Sequence, residues 1–151
     1  MRKFVFSALW ALLSSFTLAQ KYEYAVITSV ESIVPMGVGR SRIIHHKDKK
    51  DAKALTTSRV EGVKDKDDDV ERSDAKMKTF DETMLLNFYS ATGINFSNIA
   101  ANDAIISSKI NNMIDEGWEL AFVASGVESD SGKDDGKGIF ITRYIFRRPR
   151  Q

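Results

Sequence analysis

Cysteine is absent from the 151 residues, and that single absence excludes a good deal of chemistry. No disulfide can form, no lipid can be added at a cysteine behind a leader, and no thiolate is available as nucleophile or metal ligand. Histidine is nearly absent as well, since His45 and His46 are the two in the chain. An excess of either charge is also missing. Of the 22 Lys and Arg residues, setting aside Arg2 and Lys3 leaves 20, against 21 Asp and Glu; nucleic-acid binders are usually strongly basic. After the first twenty residues no long apolar run recurs, so nothing in the remaining chain has the length of a membrane-spanning helix.

The first twenty residues do contain such a run. Arg2 and Lys3 form a short positive region, Phe4 to Leu18 carry no charge, and Thr17-Leu18-Ala19 place small residues before a cut between Ala19 and Gln20. The run is about 15 residues, short of the roughly 20 needed to span a bilayer. Residues 1–19 therefore read as a signal peptide, and the mature protein is expected to be exported, periplasmic or secreted, and not membrane-bound. An exported chain without disulfides must rely on an ordinary core and fits a bacterial envelope. Residues 20–151 suffice for one domain of common size.

The pattern of that domain predicts an α+β fold. KYEYAVITSVES (21–32) alternates as a strand, Pro35-Met36-Gly37-Val38-Gly39 marks a turn, and Arg40–His46 reads as a returning edge strand. Residues 47–78 are charged at more than half of their positions and have little apolar content, so they predict a solvated, mobile insertion. Thr79 and Glu82 have capping-box spacing ahead of Met84, Leu85, Phe88 and Tyr89, which predicts a short helix over Phe80–Thr92 with Gly93 as its stop. A longer helix is predicted from an N-cap at Asn102, with Ile106, Ile110, Met113 and Ile114 on its apolar stripe. Gly117 ends it in the left-handed conformation that glycine takes without steric cost. A strand begins at Trp118, and after the polar loop 129–138 a final strand, IFITRYIFRR, runs to Pro149. Its two faces are both apolar, which places it in the middle of a sheet. The expected architecture is an antiparallel or mixed sheet of three to four strands in a split β-α-β arrangement, with the main helix on one face and one short extra helix.

Tyr22-Glu23-Tyr24 in the first strand, Glu116-Gly117-Trp118-Glu119-Leu120 after the main helix, and Arg147-Arg148-Pro149 at the end of the last strand carry a resemblance. Together they resemble a family of small bacterial domains of unknown function. The match covers about Lys21–Val30 and Ile105–Pro149. It implies a fold of the split β-α-β kind, and it brings no catalytic or binding residue.

Residues capable of chemistry are sparse. His45 and His46 are adjacent on a strand and point to opposite faces, so they do not readily chelate one metal. Asp130, Asp134 and Asp135 lie in a Gly-rich loop but lack the twelve-residue calcium pattern. Asp65, Asp67 and Asp69 alternate, with Val70 and Lys76 where a glycine and a glutamate belong. No Gly-x-Ser-x-Gly elbow is present, and Ser107 and Ser108 precede Lys109 within a helix. Glu116 and Glu119 bracket the glycine turn as a pair of carboxylates. Asn95-Phe96-Ser97 is a formal glycosylation triplet. Trp118 reads as a plug for the end of the core, and a ligand-stacking role is its alternative. These residues assign no catalytic, cofactor or metal site. The expected function is a non-catalytic module that binds another protein, or itself, through a sheet face, because the strands carry more apolar surface than one helix can cover. The alternative is a small hydrolase or ligand-binding protein with a site near the charged insertion.

Overall fold

The computed structural model describes residues 21–32, 38–57, 61–62, 71–90, 92–128 and 138–150. The leader 1–19, the turn at 35–37, the Asp65–Asp69 run and the Asp130–Asp135 loop lie outside the described residues. The sheet is built from β1 (Tyr22–Ser32), β2 (Val38–His46), β3 (Phe80–Leu86), β6 (Glu119–Glu128) and β7 (Ile139–Pro149), in the order β3-β2-β1-β7-β6. All four pairings are antiparallel. The last strand lies between the first strand and the Trp118 strand, paired with β1 from Tyr22↔Pro149 to Ser32↔Ile139. The sheet has five strands, one more than the largest number the sequence pattern predicts. β2 is consequently an interior strand, because β3 lies outside it.

β3 replaces the predicted short helix. Glu82, assigned by spacing to a capping box, instead reaches across the ladder to Arg42 at 2.6 Å. Pairing with β2 sets a period of two, which turns Asp81, Thr83 and Leu85 toward the helix and Phe80, Glu82 and Met84 outward. Beyond it, β4 (Tyr89–Ser90) and β5 (Gly93–Ile94) form a minimal hairpin, and Gly93 takes a positive φ of 119° there.

The charged segment between β2 and β3 holds a 3-10 turn at Ala52–Leu55 and one helical turn, α1 (Arg72–Ala75). Its described residues are mostly exposed. It joins strands whose ends, His46 and Phe80, are register partners.

The main helix, α2 (Phe96–Asp115), begins seven residues earlier than Asn102 predicts. Asn95 is the N-cap, and its Oδ1 accepts the N–H groups of Ser97 and Asn98 at 3.1 and 3.2 Å. Asn102 is inside the helix and fully buried. Ile106 and Met113 face the core, Ile110 packs at its margin, and Ile114 turns out to solvent. The C-terminal end matches the sequence reading: Gly117 has φ of 85°, its N–H donates to the Ile114 carbonyl at 2.9 Å, and the Trp118 N–H donates to the Met113 carbonyl at 3.0 Å. These two bonds are a Schellman motif, and they turn Trp118 back onto the core.

The core consists of Ala25, Ile27, Ile43, Leu85 and Phe146 from the sheet with Ile106 and Met113 from the helix. It lies on one side of the sheet. A helix about 10 Å across covers roughly two of five strands spaced about 4.8 Å apart. The helix crosses the sheet from β3, where Asn102 bonds Leu86, toward the start of β6 beside Trp118, and the far part of β6 and the start of β7 are left open on the same face, with Val123, Val127 and Phe140 at 44%, 62% and 42% exposure.

Candidate functional site

Three surfaces combine concavity, charge or exposed apolar groups. The first is the outer face of the sheet, opposite the helix. Register places its residues in rows across the strands. One row is Tyr24, Arg147 and Glu119; another runs Met84, Arg42, Val30, Ile141 and Gly126 across all five strands. Tyr24 and Phe122 are 63% and 61% exposed, and Met84 is 54% exposed. Arg147 is gripped from both sides. Its guanidinium donates twice to the Glu119 carboxylate, at 3.0 and 3.1 Å, and lies 5.0 Å from the Tyr22 ring centre. That hydrogen-bonded pairing holds the Glu119 carboxyl below the usual carboxylate range.

The second surface is a polar cleft of about 530 Å³ beneath the C-terminal half of α2. β2 contributes His45, β1 contributes Glu23, the helix contributes Lys109 and Glu116, and Trp118 and Arg148 close one side. Burial lowers the His45 pKa, with the positive charge of Lys109 and then His46 acting in the same direction. Its imidazole is thereby biased to the neutral form. Arg148 is fully engaged. It donates to the Glu23 carboxylate, stands 4.2 Å over the Trp118 ring, and its Nη1 lies 3.5 Å from the Glu116 carbonyl at the helix C-terminus. A cation at that end complements the helix dipole. Asp81, paired with Lys47 at 3.0 Å, forms the opposite rim.

The cleft brings His45 and Glu116 together and parts Glu116 from Glu119. His46, exposed, also borders the cleft, its ring centre 6.2 Å from that of His45 and its Nδ1 3.3 Å from the Asp48 carbonyl. Glu119 lies on the outer sheet face, so it does not pair with Glu116. Ser107 and Ser108 are exposed on the helix. Among the described residues the lining contains no serine or threonine, so no hydroxyl nucleophile from them meets His45 there. Among the described residues, no three His, Asp or Glu side chains group as metal ligands.

The third surface is a groove of about 570 Å³ on the helix side, where α2 diverges from β6. Its floor is Ser125, Val127, Phe140 and Thr142, and its far wall is Phe88 and Ile99. Phe88 and Phe140 pack with ring centres 5.5 Å apart and planes tilted by 55°. Glu31 and Asp103 supply the charge in its lining. Burial, and the nearness of those two carboxylates, raises the Tyr144 phenol above its ordinary value.

A network of amides that the sequence does not announce holds the sheet end beside this groove. Asn102 accepts the Leu86 N–H at 2.8 Å and donates to the Leu86 carbonyl at 2.7 Å and to Glu31 at 3.1 Å. Asn98, one turn earlier, donates to the Asn87 carbonyl at 2.7 Å. Ser41 accepts the Ser32 N–H at 2.9 Å and donates to Asn87 at 2.7 Å. The one available signal was two asparagines four apart, which share a helix face.

No protein-family model, curated protein or solved structure matches the chain.

Proposed function

We propose that the protein is a non-catalytic, self-associating module whose outer sheet face packs against the same face of a second copy. The exposed Tyr24–Phe122 face carries this reading. Five strands about 4.8 Å apart and roughly 30 Å long present about 700 Å², close to the ~800 Å² that each partner contributes to a standard interface. Tyr, Phe and Arg are the residue types that anchor such interfaces; Tyr24 and Arg147 are cross-strand neighbours, and Phe122 stands in the next row beside Ile145. The charge pattern suits a like partner. Arg42–Glu82 and Arg147–Glu119 set both signs on one face, so a twofold arrangement can set the arginine of one copy against a carboxylate of the other. The chain is close to neutral, and two copies have little net charge to overcome.

Export belongs to the same proposal. It is supported by Arg2-Lys3 and the apolar run after them, and the bacterial small-domain family by the Tyr22-Glu23-Tyr24 and Gly117–Leu120 motifs. Light scattering of residues 20–151 after size-exclusion chromatography tests self-association. The expected result is twice the monomer mass at micromolar concentration; a monomer mass at every loading would remove the reading.

A ligand-binding role for the polar cleft is the second reading. It is favoured by the neutral-biased His45 imidazole beside Lys109 and Glu116, at the point where the charged insertion begins.

A further inference from the structure

Among the described residues β6 closes one side of the sheet and has a neighbour, β7, on one side only. After a register shift between Leu120 and Phe122, its pairing is regular from Phe122 to Glu128. The opposite edge of that stretch presents an unbroken row of backbone donors and acceptors. Edge strands are usually guarded by lysine, proline or an inward charge. Between Leu120 and Val127 β6 carries none of these, and its residues are exposed. Directly beside the edge lies the apolar groove floored by Val127 and Phe140 and walled by Phe88 and Ile99. An open edge next to a groove that can take alternate side chains is the geometry of strand addition.

We infer that this edge and groove bind an extended peptide of another protein, which pairs along Phe122–Glu128 and inserts apolar side chains at alternate positions. Charge selects the partner. Among the described residues the charged groups in the groove lining are Glu31 and Asp103, so the peptide carries a lysine or arginine that faces them. A second copy's β6 is a poor match, because the segment Glu119–Glu128 includes no lysine or arginine to meet Glu31 and Asp103.

Panning a phage-displayed library of random linear octapeptides on residues 20–151 at low salt tests this. Enriched peptides should alternate apolar residues and include a lysine or arginine. A synthetic copy should lose affinity by about tenfold or more when Val127→Lys places a cation in the groove. Val127 is 62% exposed, so this variant keeps the fold. Tyr24→Lys, on the opposite face, should leave peptide affinity unchanged whether or not it disrupts self-association. Methylating the peptide's backbone nitrogens at alternate residues should abolish binding in one register and spare it in the other, a test that leaves the protein untouched. No enrichment, equal binding to Val127→Lys, or indifference to N-methylation in both registers would overturn the inference. Loss of self-association in Val127→Lys without peptide enrichment would overturn it in favour of a second copy at this edge.

Discussion

Asn102→Ala should be among the most damaging single changes in the helix, although the residue removed is polar. Asn102 has no solvent exposure, and its amide satisfies both backbone groups of Leu86 as a neighbouring strand would. A buried backbone group left unpaired costs about 1–3 kcal/mol. The Leu86 side chain is 37% exposed at the rim of the sheet, so water recovers part of that loss. Taking the lower half of the range for each of the two groups gives about 2–4 kcal/mol. That is a large share of the 5–15 kcal/mol typical of a domain. Asn102→Asp keeps the shape and the acceptor but loses the donor, and it sets a carboxylate against Glu31 and the Leu86 carbonyl. At pH 7 it should be at least as destabilised as the alanine variant. Burial and Glu31 hold the folded pKa of that aspartate above its unfolded value of about 3.9. The protonated form restores a donor, so the deficit should shrink at low pH and return as pH rises through the raised value. Urea melts of both variants at pH 7 and at about pH 4 measure these differences. An alanine variant within about 0.5 kcal/mol of the parent would refute the reasoning.

Gly117→Ala should cost about 1 kcal/mol, from the positive φ alone, because nothing lies within 4 Å of the added Cβ. Trp118→Ala should cost about 2 kcal/mol in denaturant melts. That is below the 3–5 kcal/mol of a fully buried aromatic, because Trp118 is half-buried and shared between the core and Arg148. Replacing residues 48–78 with a short Asn-Gly turn should leave a cooperative thermal transition, since His46 and Phe80 are already register partners. Loss of cooperativity would place that segment in the core. The lowered pKa of His45 means that the unfolded chain binds its proton first. Stability should therefore fall as pH drops from about 6.5 toward the lower folded value, and His45→Gln should flatten the melting temperature over that window.

Those predictions rest on features that were unequally legible in the sequence. The strand at 22–32, the glycine turn at 117 and the interior position of the last strand follow from local pattern, because alternation, a left-handed glycine and a strand apolar on both faces each have one ready structural solution. β3 does not. Met84, Leu85, Phe88 and Tyr89 fit a helix period, and the strand alternation is masked because Asp81 and Thr83 occupy inward positions. Pairing with β2 decided the outcome, and Glu82 went to Arg42 rather than to a cap. The helix start is not legible in the sequence, because Asn95 and Asn102 are equally good caps in isolation. Only the fold shows that Asn102 is spent on Leu86. His45 and Glu116 lie far apart in the chain, so neither the cleft nor their proximity could be read from it. The groove beside β6 arises from one helix lying across five strands, a matter of widths that no residue encodes alone.

Sedimentation equilibrium of residues 20–151, run beside Tyr24→Lys/Phe122→Lys, tests the central claim most directly. Both residues are more than 60% exposed, so the double variant should unfold at the parent's temperature. Lysines on the packed face should cost several kcal/mol of association, a shift of two or more decades in dissociation constant. The predicted result is a reversible dimer for the parent and a monomer for the variant across the same concentrations. A parent that stays monomeric, or a variant that dimerises as the parent does, would contradict the account.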